Sequence, residues 1–210
     1  MHPLLKDGTP IRLRLLQSGV KLEYVEHVFA NGRKLRLLKG DITRIAAGAI
    51  ANAANAALRG GGGVDGAIHR AGGPAIMAEL NRIRAEQGGC PTGSAVATTA
   101  GNLPASFVFH AVGPVYQGGR EGEPDLLASC YRRCLELAEQ HQVKSITFPS
   151  ISTGVYGYPL DEAAPIAIGA VADWLASGRG SVEDTAFVLF DQGTYAAYER
   201  ALGACVERRS

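Results

Sequence analysis

Asn52-Ala53-Ala54-Asn55, then Ala56-Ala57-Leu58-Arg59, then Gly60-Gly61-Gly62-Gly63-Val64-Asp65-Gly66 is the stretch on which the reading of this chain turns. A short apolar run, Ala49–Ala53, leads into it, and a helical pattern from about Val64 to Arg70 leads out. Four consecutive glycines are costly to order, because glycine loses more backbone freedom on folding than any other residue. A simple turn needs one or two. Bare backbone N–H groups at a helix N-terminus, uncrowded by side chains, form a site for anions, phosphate above all. A second loop, Ser150-Ile151-Ser152-Thr153-Gly154-Val155-Tyr156-Gly157-Tyr158-Pro159, also leads into a helical pattern. Two such loops can close on one diphosphate. Asn55 and Asp65 beside them point to a group attached to that diphosphate that is read, and cut.

Outward from this stretch the chain alternates. Ala95–Thr99, Phe107–Val112, Ser145–Phe148 and Ala186–Phe190 read as strands. Helical patterns run over Pro74 to Glu86, Asp125 to His141, Leu160 to Ala176 and Thr194 to Val206. Such alternation predicts an α/β domain with a largely parallel sheet, whose ligands sit at the carboxyl ends of the strands. Both glycine loops fall there. Pro165 breaks a local rule, since inside a helix it removes a hydrogen bond; either the helix starts later than Leu160 or its first turn is distorted. Residues 11–38 read as strands, with Asn31-Gly32 as a hairpin turn between Val25–Phe29 and Lys34–Leu38. Residues 1–33 thus form a basic N-terminal strand extension ahead of a domain spanning 34–210.

With 210 residues, 46% of them hydrophobic, the chain is long enough for one domain with a sizeable core. A net charge of +1 argues against a general polyanion binder. The charge is uneven: residues 1–39 hold eight Lys/Arg against three acidic residues. This basic segment offers a weak nucleic-acid contact, and a solvated edge hairpin is the plainer reading. Cys90, Cys130, Cys134 and Cys205 form no Cys-x-x-Cys pair, and Cys130 and Cys134 share a helix face as small apolar residues. Neither a secretory signal nor a run of about 20 apolar residues is present, so a cytoplasmic protein without membrane contact is expected.

Gly61-Gly-Gly63-Val-Asp-Gly66 satisfies G-x-G-x-x-G, with Glu86 twenty residues on. That fingerprint should follow a strand directly, and here the polar stretch 52–59 intervenes. Gly-Lys-Ser/Thr is missing too, so the stretch is not a P-loop.

The motifs, taken in order, resemble those of macrodomains, specifically the MacroD-type ADP-ribosyl hydrolases. Asn55, six residues, and Gly62-Gly63-Val64-Asp65 match that class without a gap, and Gly154-Val155-Tyr156-Gly157 matches its second element. Gly40-Asp41-Ile42-Thr43, Cys90-Pro91-Thr92-Gly93, Leu103-Pro104-Ala105 and His110-Ala-Val-Gly113-Pro114 support it over roughly residues 35–205. The resemblance implies a three-layer α/β/α sandwich around a mixed, largely parallel sheet, with a cleft for ADP-ribose. Asp41, with Ile42 beside it, would meet adenine; on residue type alone Asp41 is equally a turn or cap residue. Phe190 would stack on adenine, or else is an ordinary core residue. Gly62, Gly63, Val64, Ser150, Ser152, Thr153, Gly154 and Val155 would hold the diphosphate, the Ser152 and Thr153 hydroxyls adding donors. Asn55 would fix the distal ribose, Asp65 would orient or deprotonate a water, and Tyr156 would close the site. Asp65 also opens a helix, where the dipole favours a carboxylate whatever its function. His69 and His110 read as structural.

The implied reaction is hydrolysis of an ester at the distal ribose, with neither metal nor cofactor. Its substrates would be proteins mono-ADP-ribosylated on Asp/Glu, and O-acetyl-ADP-ribose. The chain is expected to be a monomer. A module that binds ADP-ribose without cutting, and a nicotinamide-dependent oxidoreductase, are the other readings. The lead-in Gly48-Ala49-Ile50-Ala51 lacks an acidic residue found in many relatives, and Ser94 and Val96 stand where Glu and Lys are frequent.

Overall fold

The structure, a computed structural model, describes the backbone of residues 11–15 and 21–209 and the side chains of 24–209. The remainder of the basic N-terminal segment, residues 1–10 and 16–20, lies outside the described residues. Eight strands form one mixed sheet: β1 (Ile11–Leu15), β2 (Lys21–Val28), β3 (Lys34–Lys39), β4 (Ala49–Ala53), β5 (Ala95–Thr99), β6 (Phe107–Ala111), β7 (Ser145–Phe148) and β8 (Asp184–Leu189), in the order β1-β2-β3-β8-β7-β4-β6-β5. The centre is parallel from β3 to β6, and both margins are antiparallel. Among the described residues five α-helices cover it: α1 (Gly63–Gly72), α2 (Pro74–Gln87), α3 (Glu123–Gln140), α4 (Leu160–Ala176) and α5 (Gln192–Glu207).

The two-residue period of the strands sorts side chains into two cores. Leu35, Leu37, Ala49, Ala51, Phe109 and Phe187 face α3, α4 and α5, where Tyr131, Ile168 and Tyr198 are buried. Leu38, Ile50, Val108 and Val188 face the other way, against Ile68 of α1 and Ile76 and Leu80 of α2. The result is an α/β/α sandwich buried on both faces, as parallel sheets require. Cys130 and Cys134 pack inside the larger core. Burial pushes the Cys130 thiol up to about 12.

β2 and β3 pair as a hairpin around a turn in which Gly32 takes φ +82°. α4 begins at Leu160 and runs through Pro165. The helix therefore starts where its pattern starts, and the proline is tolerated because it sits on the solvent face. Its missing N–H orphans only the carbonyl of Asp161, an exposed residue. Among the described residues no helix is long and apolar enough to cross a membrane.

Candidate active site

A cavity of about 700 Å³ opens at the carboxyl ends of the parallel strands. Each of those strands delivers a segment to it. β3 leads to Gly40–Ile42, β4 to Asn55, β6 to Gly113, β7 to Pro149–Tyr156, and β8 to Phe190. All the residues proposed above for diphosphate, adenine and ribose line this one space.

The first glycine loop ends in α1, whose N-cap, Gly62, offers no side-chain cap. The first N–H groups of the helix therefore get no side-chain cap, and Gly62, Gly63, Val64 and Asp65 line the cleft. Gly66 lets the loop fold this tightly onto the helix, since a Cβ there would lie 2.7 Å from the Gly61 carbonyl oxygen. Asn55 shapes the loop from within. Its Nδ2 donates to the Gly60 carbonyl at 2.9 Å, and its Oδ1 accepts from Arg59 N–H at 3.3 Å. The residue expected to face the ribose is thus also a brace of the loop.

The second loop is held from below. Tyr198, fully buried, donates to Ser150 Oγ at 3.0 Å, and the hydroxyl of Tyr131 accepts from Ile151 N–H at 3.1 Å. Burial pushes the Tyr198 phenol up to about 12, so it stays a donor at neutral pH. Thr153 Oγ1 donates to Ser150, at 2.8 Å to Oγ. Its proton is therefore directed into the loop. Ser152 takes the left-handed φ of +66°, and its buried Oγ has no partner. Non-glycine residues in that conformation cluster where function requires the strain. Tyr198→Phe removes the hydrogen bond to Ser150 Oγ and the longer one, at 3.4 Å, to the Tyr131 hydroxyl. It is expected to cost about 1 kcal/mol of stability and to weaken ADP-ribose binding several-fold, read by urea unfolding and calorimetric titration.

Asp41 caps the 3-10 turn Ile42–Arg44: Oδ1 accepts from Thr43 N–H at 2.9 Å and from Thr43 Oγ1 at 2.7 Å. Its Oδ2 remains, 3.7 Å from Arg44 Nε. Phe190 lies just past β8, not within it, and is 81% exposed at the cavity wall. An ordinary core role is ruled out for it. Val155, at the tip of the second loop, is also fully exposed.

Asp65 sits in the first turn of α1 and is only 5% exposed. Its Oδ1 accepts from Asn52 Nδ2 at 2.6 Å, and His69 Nε2 lies 3.3 Å from the same oxygen without hydrogen-bond alignment. Oδ2 is buried with no protein partner, on the side of Gly61. A carboxylate tied by one oxygen and free at the other is arranged to accept a proton or hold a water. Asn52, completely buried, is a site residue that the sequence reading did not nominate. The signal was present: β4 reads Ala-Ile-Ala-Asn-Ala, and an amide in so apolar a strand must find a buried partner.

His110 is completely buried one strand away from Asn52, and its Nδ1 lies 3.1 Å from Asn52 Nδ2. Burial, with His69 nearby, holds its imidazole down to about 3. Asp65, His69 and His110 bring ligand-type atoms within 4.8 Å of one another. Both ring nitrogens of His110 are already hydrogen-bonded, however, so a cation there would have to displace Asn52 or Thr98. The titration of His110 has a consequence for stability. Unfolded, the ring takes a proton near 6.5; folded, it resists until about 3. Between these values the unfolded chain binds more protons, so stability falls with falling pH, by up to about 1.4 kcal/mol per unit from this group. Urea unfolding at successive pH values from 7 to 4 is expected to show the decline, and His110→Gln to flatten it.

Comparison with known proteins agrees with this architecture. The family model described as Macro domain matches residues 51–167, more than half of the chain. A macro domain-containing protein of Caldanaerobacter subterraneus is 55% identical over 168 residues, covering 80% of this chain and 95% of that protein. A Pantoea vagans protein named O-acetyl-ADP-ribose deacetylase 1 is 49% identical over 170 residues, covering 81% and 99%. Among solved structures, the Oceanobacillus iheyensis macrodomain with ADP superposes with a TM-score of 0.84 at 39% identity, covering 89% of this chain and 98% of that one. The Trypanosoma brucei macrodomain in complex with ADP-ribose gives 0.72 at 41% identity, covering 82% and 68%. With the family model matched over more than half of its length, this degree of identity and this superposition, the chain belongs to the macro domain family.

Proposed function

We propose that this protein binds ADP-ribose in the cleft and hydrolyses esters carried on its distal ribose. The substrates are O-acetyl-ADP-ribose and proteins mono-ADP-ribosylated on Asp or Glu side chains, which present the same bond. The observation that carries the reading is Asp65: a buried carboxylate with one oxygen fixed and the other unpartnered, beside a glycine loop whose helical N–H groups are uncapped. A module that only binds needs no such group. The names of the relatives, O-acetyl-ADP-ribose deacetylase among them, point the same way.

In this reading the two loops grip the diphosphate, Phe190 lies flat against adenine, and Asp41 takes the adenine amino group through Oδ2. The distal ribose then lies between Asn55, Asp65 and Tyr156. A water next to Asp65 Oδ2 attacks the ester carbonyl as Oδ2 takes its proton. The bond between the carbonyl carbon and the ribose oxygen breaks, that oxygen takes the proton held on Asp65 Oδ2, and the acid is released. Positioning supplies several kcal/mol of the barrier, and base assistance typically contributes 10²–10⁴-fold.

The test is release of acetate from O-acetyl-ADP-ribose, and of free ADP-ribose from a protein modified on acidic residues. Release of both supports the full reading. Acetate release alone restricts the substrates to the small molecule. Tight ADP-ribose binding with neither product makes the protein a reader and overturns the hydrolase.

A further inference from the structure

We propose that His110, braced by Thr98, is a positioning residue that locks the Asn52 amide and through it holds the Asp65 carboxylate in its working orientation. The inference rests on the hydrolase reading of Asp65. It concerns residues that never reach the ligand, since His110, Asn52 and Thr98 do not line the cavity.

The chain of hydrogen bonds has one consistent direction. Thr98 Oγ1 donates to the Thr99 carbonyl at 3.0 Å. Its proton is thereby assigned, so Oγ1 accepts from His110 Nε2, 2.9 Å away. The ring is then the Nε2–H tautomer, with a lone pair on Nδ1. That lone pair accepts one Asn52 Nδ2 proton at 3.1 Å, and the other Nδ2 proton goes to Asp65 Oδ1 at 2.6 Å. The network crosses three adjacent strands, β5, β6 and β4, and ends on α1.

His110 and Asp65 together decide which way Asn52 points. With the amide reversed, its oxygen would face both the Nδ1 lone pair and the Asp65 carboxylate, and both contacts would repel. The Asn52 oxygen has no partner in the core, so these two contacts alone fix the amide, and His110 supplies the one that does not depend on Asp65 itself. A buried polar network of this kind offers little for stability over apolar packing, because each member must be desolvated. It does specify geometry. Asp65 Oδ1 is tied, so Oδ2 is the oxygen left toward Gly61 and the attacking water. A carboxylate free to rotate would present either oxygen, or turn both inward, and misplacement on the scale of 1 Å can cost about 100-fold in rate.

The experiment compares His110→Leu, His110→Gln and Thr98→Val with the parent protein. Leu keeps the bulk and removes the acceptor. Gln can accept from Asn52 and donate to Thr98, so it can rebuild the chain. His110→Leu is expected to lower kcat for O-acetyl-ADP-ribose about 10–100-fold with the ADP-ribose Kd within about threefold, and His110→Gln to recover most of the loss. Thr98→Val, which frees the tautomer, is expected to fall between them and serves if His110→Leu does not fold. Two readouts do not depend on turnover. The ¹⁵N spectrum of the parent at pH 7 should show His110 as the Nε2–H tautomer. Crystal structures should show Asp65 rotated in His110→Leu, or in Thr98→Val if the former does not fold, and restored in His110→Gln. An Nδ1–H tautomer, an unmoved Asp65, or equal losses in the Leu and Gln variants would each overturn the proposal. If the parent hydrolyses nothing, the hydrolase reading fails, and the rotation of Asp65 alone then decides whether His110 holds it.

Discussion

Asp65→Asn is expected to lower the turnover of O-acetyl-ADP-ribose by about 10²–10⁴-fold, the range of general base assistance, and to leave ADP-ribose affinity unchanged or slightly improved. The substitution keeps the shape of the side chain. The new amide oxygen can still accept from Asn52 Nδ2, so the buried amide keeps its partner. Asp65→Ala would strand that N–H in the core and add a penalty of about 1–3 kcal/mol unrelated to chemistry. What Asn lacks is a basic oxygen at the Oδ2 position, which is buried beside Gly61 with no protein partner. The binding half of the prediction follows from charge. Asp65 lies in the first turn of α1, beside N–H groups expected to hold a diphosphate. Its negative charge repels the ligand's phosphates, so neutralising it cannot weaken their binding electrostatically. Single-turnover kinetics and calorimetric titration of one preparation separate the two effects. Turnover within threefold of the parent would remove Asp65 as the base and pass the proton to a phosphate oxygen of the substrate.

The sequence was most legible where chemistry is local. Both glycine loops, the uncapped start of α1 and Asp65 lie in short contiguous stretches, so motif and spacing reveal them. The strands were readable because a parallel sheet buried on both faces leaves near-continuous apolar runs such as Ala49–Ala53. What stayed hidden depends on partners distant in the chain. Asn52 meets His110 fifty-eight residues away, and no local pattern says that β4 and β6 are neighbours. Read singly, His69 and His110 are ordinary structural histidines; beside Asp65, one lies 3.3 Å from Oδ1 and the other braces the amide that holds it. Asn55 shows a different gap: residue type suggested a ribose contact, and its bonds to Gly60 and Arg59 add a role in shaping the loop. Phe190 was ambiguous between core and stacking surface because it directly follows a buried strand, and only its exposure of 81% separates the two.

Gly113→Ala is expected to weaken ADP-ribose binding by at least about tenfold, although the added methyl group never touches the ligand's reacting end. Gly113 follows β6 and is buried beneath the second glycine loop. A Cβ there would fall on Ser152 Oγ and lie 2.6 Å from Ile151 Cγ2. Ser152 has little room to yield: it is buried, it already holds φ at +66°, and its carbonyl accepts from Tyr158 N–H at 3.0 Å. Ile151 is anchored through its own N–H to Tyr131. The loop must therefore move as a unit, carrying with it the backbone N–H groups from Ser152 to Tyr156 that the diphosphate would use. Overpacking of this kind costs about 1–3 kcal/mol, so the protein should still fold with a lowered Tm. Gly154→Ala is the matching control, because a Cβ at Gly154 meets no protein atom within 4 Å and leaves the loop and the Tm in place. Any loss of affinity in Gly154→Ala then measures a direct clash with the ligand, whereas the loss in Gly113→Ala measures displacement of the loop. An affinity in Gly113→Ala within twofold of the parent would mean that the second loop is compliant, and that the diphosphate is gripped by the first glycine loop alone.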